Sequence, residues 1–402
     1  MNTFSEITLS PALQDSLSKH GFVTPTAVQA QAIPPALEGR DVVATAQTGT
    51  GKTLAFVLPL LQSFTAKTLT LGVNAVILTP TRELALQIHE VFNKLAPGTG
   101  VRSAAVVGGM SEQTQLQNIR KGAQVLIATP GRLCDFLNRK LVKLGAVRYL
   151  VLDEADRMLD MGFLPTIKLI MGAIPAERQT LFFSATIERS VAHLINTHVN
   201  NPVRIAVGST TKPAEHIDLH VYEVEQDHKL SLLQNMLKRE QGSFLVFART
   251  KHGAERLANK LSRGGVNATS IHGDRTQSQR NHALRGFQQG QYRVLVATDV
   301  AARGIHVEGI AHVVNYDLPQ VPEDFIHRVG RTGRAGLRGV ASTFGTHSER
   351  SEIRRIERTL NIRLTRRDLG GEVSAEVRDI IVMPKPRVVS YKPRRPEYRR
   401  AR

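Results

Sequence analysis

The chain has 402 residues, 41% of them hydrophobic, with a formal net charge of +18 and a single cysteine. That length predicts two to three domains with ample material for cores, and one thiol, Cys134, excludes an internal disulfide framework and thiolate zinc clusters; it reads as a small buried apolar residue. The charge points to a polyanionic partner, nucleic acid ahead of an acidic membrane surface, because no apolar run reaches the length of a spanning helix and no signal-peptide pattern opens the chain, which fits a cytoplasmic location. Aromatic residues make up only 5% and tryptophan is absent. A long base-stacking platform is therefore not expected, and contacts to a sugar-phosphate backbone should dominate, with weak sequence specificity.

Short apolar runs recur at 41–46, 75–79, 125–129, 149–153, 180–184 and 203–207, with helical stretches between them. This is the rhythm of a parallel, doubly wound sheet. A second series follows residue 217, at 244–248, 268–272, 293–298, 312–315 and 340–344, so the chain reads as two α/β domains. Gly208 to Ala214 is small, polar and proline-punctuated, as a linker should be. The expected boundaries are 1–208, a linker over 209–217, 218–362, and a basic extension over 363–402, disordered from about Lys385, where proline and arginine replace apolar periodicity. That tail either tethers nucleic acid electrostatically or is simply solvated.

The first strand runs through Ala46-Gln47-Thr48-Gly49-Thr50-Gly51-Lys52-Thr53 into the helical pattern Leu54 to Leu58. A phosphate cradle needs glycines where backbone N–H groups turn toward an anion, a lysine for the outer phosphates and a hydroxyl for magnesium; Gly49, Gly51, Lys52 and Thr53 supply these. Ala46 stands where the generic pattern has its first glycine, and a glycine turn capping an ordinary helix is the competing reading. Asp153 and Glu154, after the strand at 149–153, decide between them. Alone they could be helix-capping acids. With a phosphate loop upstream, Asp153 anchors Mg²⁺ through water and Glu154 orients or deprotonates the attacking water. Near the other end, Arg328, Arg331 and Arg334 recur at every third position and can share one side of a helix, either as a solvated basic face or as cations supplied across a cleft to the transition state.

These pieces, in their order and spacing from residue 4 to about 346, resemble the DEAD-box RNA helicases, whose name is spelled by Asp153-Glu154-Ala155-Asp156. The resemblance implies two tandem RecA-like domains, ATP and Mg²⁺ as cofactors, and RNA as the partner. Gly21 to Gln29 resembles the adenine-reading segment, with Phe4 as its upstream aromatic, which assigns Phe22, Thr24 and Gln29 to the nucleotide beside the loop residues 46–53. Elements around Arg82, Gly109, Thr129 and Arg132, and in the second domain Arg280 and Thr298, resemble those that grip the RNA backbone. Ser184 and Thr186, with Asp156 and His327, resemble the elements that couple hydrolysis to strand separation; Arg331 and Arg334 fall in the arginine-finger motif. One position departs: after Gly304-Ile305 the family has an aspartate that accepts from the ribose, and here it is His306. A neutral imidazole offers one acceptor and titrates near neutrality, so nucleotide affinity should be modestly weaker and fall with pH.

The short basic tail suggests the bacterial RhlE-like branch, with protein partners in ribosome assembly or RNA decay. Two rivals remain: an ATP-gated RNA clamp or annealing factor with weak hydrolysis, and a DNA-directed translocase.

Overall fold

The computed structural model describes residues 2–46, 50–66, 71–207, 216–302, 309–333 and 338–368. The first domain contains strands β1 (Val42–Ala46), β2 (Ala75–Leu78), β3 (Ser103–Val106), β4 (Val125–Ala128), β5 (Tyr149–Leu152), β6 (Gln179–Ser184) and β7 (Val203–Val207). Its helices are α1 (Pro11–Lys19), α2 (Ala27–Leu37), α3 (Lys52–Ala66), α4 (Arg82–Leu95), α5 (Glu112–Arg120), α6 (Pro130–Asn138), α7 (Ala155–Asp160), α8 (Leu164–Gly172) and α9 (Arg189–His198). The second domain contains β8 (Ile217–Glu223), β9 (Ser243–Phe247), β10 (Ala268–Ile271), β11 (Val294–Ala297), β12 (Ile310–Asn315), β13 (Gly339–Gly345) and β14 (Thr365–Arg367). With them go α10 (Lys229–Arg239), α11 (Lys251–Arg263), α12 (Gln277–Gln288), α13 (Asp299–Ala302), α14 (Pro322–Val329) and α15 (Arg350–Leu360).

Each domain is a seven-stranded sheet, ordered β3-β4-β2-β5-β6-β1-β7 and β10-β11-β9-β12-β13-β8-β14, and the pairings are parallel throughout. The central strands are apolar at every position because helices cover both faces: β2 reads Ala-Val-Ile-Leu and β5 Tyr-Leu-Val-Leu, all buried. Alternation along each strand divides the cores. Ile77, Ile127, Val151 and Phe183 pack with α2, α3 and α4, whereas Val76, Leu126, Leu150 and Phe182 face α6, α8 and α9. A Phe182→Ala cavity would therefore cost about 3–5 kcal/mol.

Three strands were not legible as apolar runs. The short β3 mixes Ser103 with small residues, β8 alternates polar and apolar residues, and β14 is Thr-Arg-Arg at the sheet edge. Because β14 pairs with β8, the second sheet takes in residues past 362, and β8 begins at Ile217, inside the expected linker. Cys134 is half-buried rather than buried.

Parallel strands bring all their C-terminal ends to one edge of a sheet, and ligands of such folds bind there. Local sequence fixes where the chain turns at that edge. Thr81, Thr250 and Thr276 cap α4, α11 and α12 by accepting from Leu84, Gly253 and Gln279 N–H groups. Among the described residues no helix is long and apolar enough to cross a membrane.

Candidate nucleotide site and nucleic-acid interface

The phosphate loop joins β1 to α3, and Gln47, Thr48 and Gly49 lie outside the described residues, as do Gly304, His306 and Arg334. The surroundings of the loop are well defined. Gly51 has φ +90° and sits so close to Gln29 that a Cβ there would collide with its Nε2. Gln29 spans two backbone groups: Nε2 donates to the Gly51 carbonyl at 2.9 Å, and Oε1 accepts from Thr26 N–H at 2.9 Å. The residue expected to read adenine thus also caps α2 and clamps the loop. Lys52 is buried, with Nζ donating to Ala46 O at 3.2 Å. A cavity of about 530 Å³ opens beside these groups, lined by Phe22, Gln29, Gly51 and Thr53, by Leu84 and Gln87 of α4, and by Gln288 of the second domain. Its volume is within the range that holds a nucleoside. Thr24 is exposed and is not among its lining residues; Phe4 is buried beneath, its N–H bonded to Val23 O.

Asp153 and Glu154 lie at the end of β5, 2% and 5% exposed. Burial pushes the Asp153 carboxyl up to about 7; the Lys52 charge and the Glu154 N–H that donates to this carboxyl oppose the rise, and the Glu154 and Asp156 charges add to it. A buried acid in that state is matched to a cation. Carboxylate and hydroxyl oxygens at Asp153 and Thr53 suit Mg²⁺, which keeps most of its water. Glu154 stands at the N-terminal cap position of α7, yet its carboxylate makes no capping bond. Its backbone is left-handed, φ 52° and ψ 51°, a conformation that costs a non-glycine residue about 1–3 kcal/mol. The capping reading fails for Glu154, which the chain holds in a strained turn with no bond from its carboxylate to its own helix end.

Asp156 organises the end of β6 and the loop that follows it, where the coupling residues Ser184 and Thr186 are expected. Its Oδ2 accepts from Ala185 N–H, Thr186 N–H and the Thr186 hydroxyl at 3.0, 2.8 and 3.1 Å, and Ser184 Oγ accepts from Asp156 N–H while donating to Thr186 O. The carboxylate therefore fixes the loop after β6 to the acid motif after β5.

The expected arginine face is corrected. Helix α14 stops at Val329 with Gly330 as its C-cap, so Arg328 and Arg331 do not share a helical side. Arg328 is 2% exposed and forks onto Asp299 at 2.6 and 2.7 Å while donating to Asn315 and Asp317 O, which makes it a structural brace. Arg331, past the helix end, is 5% exposed, with Nε donating to the His327 carbonyl at 3.2 Å. Burial lowers its pKa, and the largest opposing influence is the charge of Glu154 in the other domain. Arg331 lines a small pocket together with Arg157 and Asp324, so a cation of the second domain stands beside the helix that follows the acid motif of the first.

Two further pairs cross the same interface. Arg157 Nη1 donates to Asp324 Oδ1 at 2.6 Å, with both side chains under a tenth exposed. Arg280 pairs with Glu83 at 2.9 Å, and Gln277 Nε2 donates to Glu83 Oε1 at 3.2 Å. Sequence reasoning missed Arg157 and Asp324; the available signal was a charged residue inside the buried stretch that follows the acid motif.

Arg82, Gly109, Thr129 and Thr298 all follow strand ends, on β2, β3, β4 and β11. Any side chain at Gly108 or Gly109 would press into the Arg82 guanidinium, and Gly109 has φ +73°. Arg132, on α6, keeps a buried Nη1 that makes no hydrogen bond within the described residues, as does the Nε of Arg280. Buried guanidinium N–H groups with no protein acceptor are suited to phosphate oxygens.

A family profile for DEAD/DEAH box helicases matches residues 26–194, and one for the helicase conserved C-terminal domain matches 228–336. The chain is 41% identical over 369 residues to the DEAD-box ATP-dependent RNA helicase CshA of Bacillus cereus, covering 92% of this chain and 70% of that protein. It belongs to the DEAD-box helicase family. Against the ATP-dependent RNA helicase CshA of Listeria monocytogenes it is 42% identical over 82% of its own length, and it spans 64% of that relative. Among solved structures it is similar to S. cerevisiae Dbp5 bound to RNA and ADP BeF3, with 32% identity, a TM-score of 0.83, and coverage of 92% of this chain and 96% of that one. A score of that size over both domains means that the DEAD-box pair here is arranged much as in that RNA-bound protein, in keeping with the buried ion pairs between its domains.

Proposed function

We propose that the chain is an ATP-dependent RNA helicase, an RNA-stimulated ATPase that locally opens short RNA duplexes or remodels RNA–protein complexes. The observation that carries the reading is the buried Arg157–Asp324 pair, which ties the helix after the acid motif to the second domain, with Arg331 lining the same small pocket. In this reading Lys52 and the loop N–H groups hold the outer phosphates of ATP, Gln29 and Phe22 hold its adenine end, and Thr53 and Asp153 hold the metal. Mg²⁺, when bound, neutralises charge on the phosphates. Glu154 orients the attacking water and takes its proton; Arg331, with Arg334, stabilises charge in the transition state. Arg82, Gly109, Thr129, Arg132, Arg280 and Thr298 grip the RNA backbone, and Asp156, Ser184, Thr186 and His327 pass closure to the strand. Backbone recognition that includes the 2′-hydroxyl favours RNA over DNA.

Cytoplasmic work on ribosome assembly or RNA decay, with protein partners there, is part of the same proposal. So is the RhlE-like placement, although the Bacillus and Listeria relatives carry the name CshA. Phosphate release measured with no nucleic acid, with RNA and with DNA of equal length tests the reading. Stimulation by RNA alone is expected; a flat background would leave an ATP-gated clamp, and equal stimulation by DNA would leave a translocase.

A further inference from the structure

The shared strand order makes β8 the counterpart of β1, the strand that feeds the phosphate loop. No glycine loop follows β8; instead a cavity of about 220 Å³ sits beside its C-terminal end, lined by Val221, Glu223, Arg350, Ile353, Arg354, Arg366 and Arg367. Four guanidinium groups thus meet one lining carboxylate. That carboxylate is engaged: Arg350 pairs with Glu223 at 2.5 Å and His347 does so at 2.7 Å. Arg366 is braced from outside by Glu357, which it grips with two nitrogens at 2.6 and 2.8 Å. The segment Arg350 to Arg367 carries seven arginines against two glutamates, so the surround is as basic as the lining. Glu223 and Glu357 fix and partly offset Arg350 and Arg366, but the arginines outnumber these carboxylates and the site keeps a positive balance; fixed guanidinium forks are suited to phosphate.

We propose that this cavity is a second phosphate site, which takes the backbone of RNA that continues beyond the interdomain cleft. It rests on the reading that the chain binds RNA. The cavity is smaller than the range that encloses whole nucleotides, which favours a single phosphate with the rest of the strand outside. Parallel strands place it on the same sheet edge as Thr298, four strand spacings away, or roughly 20 Å at about 4.8 Å per strand. About six stacked nucleotides at ~3.4 Å each span that distance. The site therefore serves long strands and is out of reach of short ones.

The test compares native protein with Arg354→Glu and, separately, Arg367→Gln, each checked for an unchanged unfolding midpoint, binding oligouridylates of about 8 and about 20 nucleotides with a non-hydrolysable ATP analogue. Expected is roughly tenfold weaker binding of the long strand, no change for the short one, and a salt slope for the long strand lower by about 0.7 per lost contact. Arg354→Lys should keep most of the salt slope. Equal affinities of native and variant for the long strand overturn the site. Loss of inorganic tripolyphosphate binding with long-strand binding intact overturns its assignment to RNA. Failure of the native protein to bind the short strand would instead count against the RNA reading itself.

Discussion

The two domains share a strand order and differ in the loops that leave equivalent strands. After β1 and β5 the first carries the phosphate loop and Asp153-Glu154; after β8 and β12 the second carries Val224-Glu225-Gln226 and Tyr316-Asp317. Asp317 accepts from Arg249 N–H at 2.9 Å, a structural task at the position where the first domain has Asp153. The first domain buries the acids Asp153 and Glu154 at a strained turn; the second contributes cations, Arg331 in the pocket it shares with Arg157 and an arginine cavity at the outer strands. The fold is a common scaffold, and the loops at its strand ends divide the labour.

The sharpest way to break that division is Glu154→Gln. RNA-stimulated phosphate release should fall by about 10²–10⁴-fold while ATP and RNA still bind together; near-normal turnover would remove Glu154 from its role. Next is the joint between domains. Removing one partner of a buried pair costs about 3–5 kcal/mol, so Arg157→Ala or Asp324→Ala should weaken RNA binding in the presence of an ATP analogue by at least ~100-fold. The exchange Arg157→Asp with Asp324→Arg should recover part of the loss, and no recovery would mean that the pair does not report closure. Gly51→Ala forces a side chain onto Gln29 at φ +90°, and ATP affinity should drop by roughly tenfold, read by nucleotide titration without RNA. Glu154→Gly relieves the left-handed backbone and should raise stability by about 1 kcal/mol in thermal melts of an inactive protein. The smallest effect is expected at His306: His306→Asp should tighten ATP a few-fold and flatten its fall as pH drops through the imidazole range, roughly 7 to 6. Identical pH-flat affinities would sink that idea.

Much of the site was legible because its chemistry is local. Lys52 and Thr53 follow a strand and open a helix, Asp153 and Glu154 end a buried strand, and glycine at 51 and 109 answers to positive φ in the immediate chain. The resemblance then supplied Gln29, and the structure added that its amide clamps the loop at Gly51 O. The arginine repeat misled, because three-residue spacing suggests a helix and Gly330 ends it. Edge strands β3 and β14 escaped notice because strands covered on fewer sides need no apolar run.

The sequence by itself determined two parallel α/β domains, the phosphate-loop pattern, the acid pair and a strongly basic chain, since periodicity, composition and short-range spacing encode these. Only the tertiary structure decided that Arg328 braces Asp299 while Arg331 shares a pocket with Arg157, that Arg157 finds Asp324 across 167 positions, and that four arginines gather at the counterpart of the phosphate-loop strand. Those pairings depend on burial and on charges brought together from distant parts of the chain, and neither distance nor dehydration is written in local spacing.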